Sequence, residues 1–96
     1  MEESVKKRHP SSVDSAGMSN FELGRAIIGM RYDCTAEVVE GMLCAMRDEM
    51  EADRRRGYVK LVRLQEKALV LIFALSRSLQ SIFVLCKPFM RDELEQ

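Results

Sequence analysis

The fold is decided by the stretch Tyr58–Cys86, YVKLVRLQEKALVLIFALSRSLQSIFVLC, and above all by its apolar run Ala68–Leu75. Wound as an α-helix, this run is apolar on every side. A single neighbouring helix covers only one stripe of such a helix, so the rest of its surface requires further neighbours or a second chain. Because the chain has 96 residues and little else to pack there, we expect self-association.

The predicted third helix runs from Tyr58 to about Lys87, and Pro88 stops it. Along one side, residues recur with near-heptad spacing, and we name this side the leucine seam. It consists of Leu61, Leu64, Ala68, Leu71, Leu75, the polar Ser78, Ile82 and Leu85. We predict that its seven apolar members form the core and the contact between two copies. A second face adds Val62, Leu69, Phe73 and Phe83.

Two shorter helices are predicted before this one. Ser19 and Glu22 have the S-x-x-E spacing of a capping box, which predicts the start of a short first helix. The predicted break is Tyr32–Thr35. The second helix then follows from about Ala36 to Arg56, because its apolar residues recur at helical spacing.

The residues Arg54, Arg55 and Arg56 followed by Gly57 are typical of a helix end. Cations complement the negative C-terminal dipole, and glycine suits the position after the last turn. This pattern favours a hairpin, while one long helix through Gly57 is the alternative. The predicted fold class is all-α: a short N-terminal helix plus two long antiparallel helices, completed as a bundle by homodimerisation.

Composition divides the chain into three parts. Residues 1–17 are polar and predict a disordered arm, residues 18–88 predict a single helical domain, and residues 89–96 predict an acidic tail. The basic N-terminus is not followed by an apolar segment, and three cysteines without Cys-x-x-Cys spacing suit a reducing cytoplasm. Arg77, near the middle of the apolar stretch, disfavours a membrane span.

The sequence offers little of the chemistry that enzymes use. His9 is the only histidine and lies in the predicted arm, so the ordered elements lack a histidine for a metal site or an activated nucleophile. The glycines form no phosphate-binding pattern. We therefore expect neither an enzyme nor a cofactor.

Two alternatives to a protein-binding regulator remain open at the level of sequence. The basic clusters Lys6–His9 and Arg54–Arg56 could contact phosphates in a nucleic-acid-binding helical dimer, such as a viral RNA-silencing suppressor. The balance of 15 basic and 15 acidic residues argues mildly against this. The other alternative is a secretion-type chaperone that holds an unfolded segment in an apolar groove.

Several segments resemble the TraM family, quorum-sensing anti-activators of rhizobial and Agrobacterium conjugative plasmids. Those similar to the N-terminal half of TraM are Glu22–Met30, Glu37-Val38 and Ala45-Met46-Arg47. Those similar to its closing helix are Tyr58-Val59, Ala74-Leu75, Ser81-Ile82 and Lys87-Pro88. The family's Met-His pair in that helix is absent from this chain. The resemblance implies a homodimer of long antiparallel helices that binds TraR, a LuxR-type activator, and removes it from its DNA.

The leading hypothesis is therefore a dimeric, non-enzymatic, cytoplasmic regulator that acts by protein–protein contact. The third helix would hold the dimer together. The exposed parts of the first two helices, with the arm, would face a protein partner such as a LuxR-type transcription factor.

Overall fold

The computed structural model describes residues 9–13 and 15–89. They form α1 (Asn20–Ile28), α2 (Tyr32–Arg55), α3 (Val59–Cys86) and a short 3-10 turn, Lys87–Phe89. This part of the chain contains no β-strand, so the all-α prediction is confirmed. Residues 1–8 of the predicted arm and residues 90–96 of the predicted tail lie outside the described residues.

The first helix begins where the capping box predicts. The Ser19 hydroxyl accepts a hydrogen bond from the Glu22 backbone N–H (3.1 Å), and the Glu22 carboxylate accepts one from the Ser19 N–H (2.9 Å). Both bonds satisfy N–H groups that lack partners at a helix start. The helix touches α2 over a short stretch only, and Phe21 remains 74% exposed.

The break between α1 and α2 lies earlier than predicted. The segment Tyr32–Thr35 is the first turn of α2, not a loop, and residues 29–31 make the connection. Arg31 donates two hydrogen bonds to the Asp33 carboxylate (2.5 and 3.0 Å), which holds a negative charge at the positive end of the helix. Thr35 is buried and donates to the Ile27 carbonyl (2.7 Å), which ties α2 to α1.

A hairpin joins α2 to α3, as predicted, and the single long helix is wrong. Gly57 has a φ of +82°, in the left-handed region that favours glycine. Its N–H donates to the Arg54 carbonyl (3.0 Å), and the Tyr58 N–H donates to the Asp53 carbonyl (3.1 Å). These two bonds form a Schellman motif, which ends α2 and reverses the chain.

The helices α2 and α3 pack antiparallel along most of their length. Near the hairpin Asp53 meets Gln65, and at the far end Leu79 packs with Ala36 and Val39. A regular heptad on α3, here named the inner seam, is buried or half-buried throughout. It consists of Val62, Gln65, Leu69, Ile72, Ser76, Leu79, Phe83 and Cys86. The core of the single chain therefore lies between α2 and the inner seam.

Candidate interaction surface

The leucine seam lies beside the inner seam and stays uncovered in the single chain. Each of its members precedes an inner-seam residue by one position, which is a rotation of about 100° around the helix. Its six large apolar side chains are 38% to 76% exposed, and Ala68 is half-buried. These residues therefore do not build the core within one chain. Their contact with a second copy stays a prediction.

The second helix extends this apolar surface. A shallow cleft lies between the helices on the side away from the leucine seam. It is lined by Glu40, Cys44 and Arg47 of α2 and by Phe73 and Arg77 of α3. These three α2 residues therefore mark the flank of α2 that is turned away from the seam. Helical spacing puts a different set of α2 residues on the flank beside the seam. Those residues are Val38, Met42, Ala45 and Ala52, all half-buried or exposed.

The leucine seam and these four α2 residues form one continuous side of the hairpin, here named the open face. Helical spacing also puts Glu49 on this flank of α2. Its Oε1 lies 3.1 Å from the His9 Nε2, so the described end of the N-terminal arm approaches the rim of the open face. The arm is also held where the Asn20 side chain donates to the Ser11 carbonyl (2.8 Å).

The opposite flank of the hairpin is more polar. The Arg77 guanidinium lies 5.8 Å from the centre of the Phe73 ring, a cation–π contact, and the Arg47 guanidinium lies 3.6 Å from the Cys44 sulfur. Val70 is exposed on the back of α3 and Phe73 near it is 50% exposed, but α2 contributes the charged Glu40 and Arg47 to this flank. The two sides of the hairpin thus differ in character, and the leucine seam belongs to the apolar one.

The arginine cluster is largely occupied at the hairpin. Arg54 is paired with Glu51 and, at 3.6 Å, with Glu66. Arg56 donates to Asp53 (2.9 Å), whose side chain is only 6% exposed. Of these ion pairs, Arg54–Glu66 joins α2 to α3, and the other two lie within the last turn of α2. The alternative role of Arg54, Arg55 and Arg56 in phosphate contact stays a prediction, and these pairs weaken the argument for it.

Buried polar contacts support the turn from inside. Asp53 also accepts a hydrogen bond from the Gln65 Nε2 (2.9 Å), which links the two helices directly. Within the part of the chain that the structure describes, the Gln65 Oε1 is buried without a hydrogen-bond partner. The carboxylate of Asp53 therefore organises the hairpin end of the core, where apolar packing is thin.

Two carboxylates with lowered pKa values lie at the starts of α1 and α2. The backbone N–H of Ser19 lowers the pKa of Glu22, and the hydrogen bonds from Arg31 lower the pKa of Asp33. Both carboxylates stabilise helix starts, so they have structural roles. Among the described residues, no three His, Cys, Asp or Glu side chains are grouped to hold a metal ion. The thiols of Cys34, Cys44 and Cys86 are free.

The third helix also has the dimensions of a membrane-spanning segment. The stretch Val59–Phe89 is long and apolar enough to cross a bilayer by length and composition alone, and 11% of its most apolar window is buried. The core helices of soluble proteins meet the same criteria. A lipid surface is therefore a rival occupant of the open face that an experiment has to separate from a protein.

Comparison with protein-family models, curated proteins and solved structures gives no match to this chain. The resemblance to TraM accordingly rests on the sequence segments quoted above, and the open face rests on the geometry of the hairpin.

Proposed function

We propose that this chain is a small, non-enzymatic helical regulator that acts by protein–protein contact, as a homodimer in the cytoplasm. The observation that supports this proposal is the open face. It offers six large, exposed apolar side chains on one side of a two-helix hairpin. Contiguous apolar surface of this kind is uncommon on soluble monomers and is typical of binding sites.

The resemblance to TraM suggests the specific form of the regulation. The dimer would bind a LuxR-type activator and disfavour its DNA-bound state, to the extent that it binds the DNA-free form more tightly. The first helix is a suitable contact for that partner. Phe21 and Ile28 are 74% and 54% exposed there, and α1 makes few contacts with the hairpin.

The test is displacement of a TraR-type activator from a fluorescently labelled operator. Adding the purified chain at micromolar concentration should lower the anisotropy of the labelled DNA to that of free DNA. Phe21→Ser should weaken this release, whereas Arg55→Ala, a substitution of an exposed residue outside α1, should not. If the activator stays on its DNA at saturating concentrations of the chain, the anti-activator proposal is wrong.

The same assay examines the nucleic-acid alternative. The chain is added to the operator, and to duplex RNA, without any activator and at low salt. Direct binding with a steep salt dependence would favour a nucleic-acid-binding dimer. The structure gives this alternative less support than the regulator, because Arg54 and Arg56 already pair with acidic side chains at the hairpin.

A further inference from the structure

We propose that the occupant of the open face is a second copy of this chain, docked antiparallel through the leucine seam, with the two α3 helices centred on each other at the level of residue 73. This inference deepens the proposed function, since it specifies how the proposed homodimer is built. Four observations carry it: the symmetry of the leucine seam, the length of α3, the size of the open face and the distribution of charge.

The leucine seam is symmetric about position 73. In an antiparallel pair centred there, each seam residue faces the seam residue equally far on the other side of the centre. The facing pairs are Leu61 with Leu85, Leu64 with Ile82, Ala68 with Ser78, and Leu71 with Leu75. The two small residues of the seam therefore meet each other, and every large residue meets a large one.

Other antiparallel registers lose this match. A shift of one heptad towards the C-terminus puts Ala68 opposite Leu85 and Leu75 opposite Ser78. A shift in the other direction puts Leu61 opposite Ser78 and Ala68 opposite Leu71. Each shift also leaves two large seam residues without a seam partner, Leu61 and Leu64 in the first case and Ile82 and Leu85 in the second, so less apolar surface is buried.

The matched register also uses the whole of α3. The helix Val59–Cys86 has 28 residues, and its midpoint falls between residues 72 and 73. The centre of the seam and the centre of the helix thus coincide. Two copies docked in this register overlap along the full helix, about 42 Å at 1.5 Å per residue.

The open face is large enough for a stable dimer. The hairpin is about 40 Å long, and two packed helices are about 18 Å wide, so one side measures roughly 700 Å². Specific interfaces commonly bury about 800 Å² per partner. A second copy brings an identical apolar face, so both open faces are covered by the same contact.

Charge selects the antiparallel over the parallel arrangement. Residues 51–67 contain six Lys or Arg and three Asp or Glu, a net charge of +3 at the hairpin end. A parallel dimer puts two such ends side by side. The antiparallel dimer separates them by roughly the length of α3, well beyond the screening distance of about 8 Å at physiological salt.

Disulfide trapping tests the orientation and the register together. The three natural cysteines are replaced by alanine, and Leu61→Cys or Leu85→Cys is introduced separately. Diamide serves as the oxidant and accepts the two electrons and two protons of each disulfide. We expect a cross-linked dimer when the two variants are mixed and little when either is oxidised alone. Ala68→Cys with Leu85→Cys, which face each other in the register shifted by one heptad, is the register control and should cross-link poorly.

Each other result overturns the inference. Efficient self-linking of either single variant indicates parallel helices, and preferential linking of the register control indicates a shifted dimer. Light scattering on the natural chain makes the test independent of how the variants fold, because a monomer at micromolar concentration excludes the dimer. Co-flotation of a monomeric chain with phospholipid vesicles would assign the open face to lipid. If operator release succeeds while the cross-link fails, this geometry is wrong and the proposed regulation stands.

Discussion

The sharpest prediction compares two adjacent residues at the centre of α3, Val70 and Leu71. Their side chains are 68% and 70% exposed, so a glutamate at either position is equally well solvated in a single chain. Only Leu71 belongs to the leucine seam, and Val70 lies about 100° further around the helix, on its back. We expect Leu71→Glu to disrupt the dimer and Val70→Glu to leave it intact.

The magnitude follows from the exposed surface of Leu71. Full burial of a leucine side chain contributes about 1.5–3 kcal/mol, so covering the exposed 70% contributes about 1–2 kcal/mol per copy. The symmetric dimer loses this term twice, about 2–4 kcal/mol. The dissociation constant should therefore rise about 30- to 1,000-fold, before the cost of desolvating two carboxylates is added.

Sedimentation equilibrium over a concentration series measures both dissociation constants, and circular dichroism at high dilution checks that both variants remain helical. The comparison is informative because the change in charge, the helical position and the solvation of the new side chain are matched. Equal dissociation constants for the two variants would refute the assignment of the leucine seam to the dimer contact. A larger effect of Val70→Glu would place the contact on the back of α3.

Three further predictions concern the hairpin and α1. Asp53→Ala should lower the free energy of unfolding by about 1–3 kcal/mol in urea denaturation, because it removes the buried acceptor of two hydrogen bonds and leaves the half-buried Gln65 amide unpaired. Two glycine variants form a matched pair, because a Cβ added at Gly57 or at Gly41 meets no neighbour within 4 Å, so neither variant creates a clash. Gly57→Ala should destabilise the protein by about 1 kcal/mol, because the φ of +82° is strained for alanine. Gly41→Ala in the middle of α2 should stabilise the protein by up to about 1 kcal/mol, because alanine has the higher helix propensity. Acidification should loosen α1 and the connection from α1 to α2 before it affects α3. The pKa values of Glu22 and Asp33 are lowered, so their contributions to stability are present above the unfolded-state pKa values, about 4, and are lost as pH falls through the folded-state values. Amide hydrogen exchange between pH 5 and pH 2.5, corrected for its intrinsic pH dependence, measures this order, and simultaneous loss of protection in α1 and α3 would contradict it.

Local signals in the sequence predicted most of the fold. The capping box at Ser19 and the Arg-Arg-Arg-Gly end before Tyr58 act within a few residues, and both are found where the pattern puts them. The start of α2 was missed because a tertiary contact decides it. The bond from Thr35 to the Ile27 carbonyl joins two helices, and helix propensity alone contains no information about it.

The sequence predicted which residues form the leucine seam, but it did not predict that this seam is exposed within one chain. Periodicity showed the leucine seam clearly, since seven of its eight members are apolar. The inner seam was obscured by the polar Gln65 and Ser76. Contacts between the helices decide which seam α2 covers. Asp53 of α2 accepts a hydrogen bond from the Gln65 amide, and the inner seam, which contains Gln65, therefore faces α2. Hydrophobicity alone therefore could not predict which of the two seams is buried within one chain.

The choice of seam is itself an argument for a second copy. A monomer would gain more from apolar burial if α2 covered the leucine seam, because that side of α3 has one polar residue and the inner seam has two. Instead α2 covers the more polar seam. There Gln65 donates a hydrogen bond to Asp53, and the small side chain of Ser76 is buried. This arrangement becomes favourable once the leucine seam is covered as well. A helix with two adjacent heptad seams suits a bundle in which it has more than one neighbour, and a hairpin supplies only one. The antiparallel dimer adds the missing neighbours without any further segment of the chain.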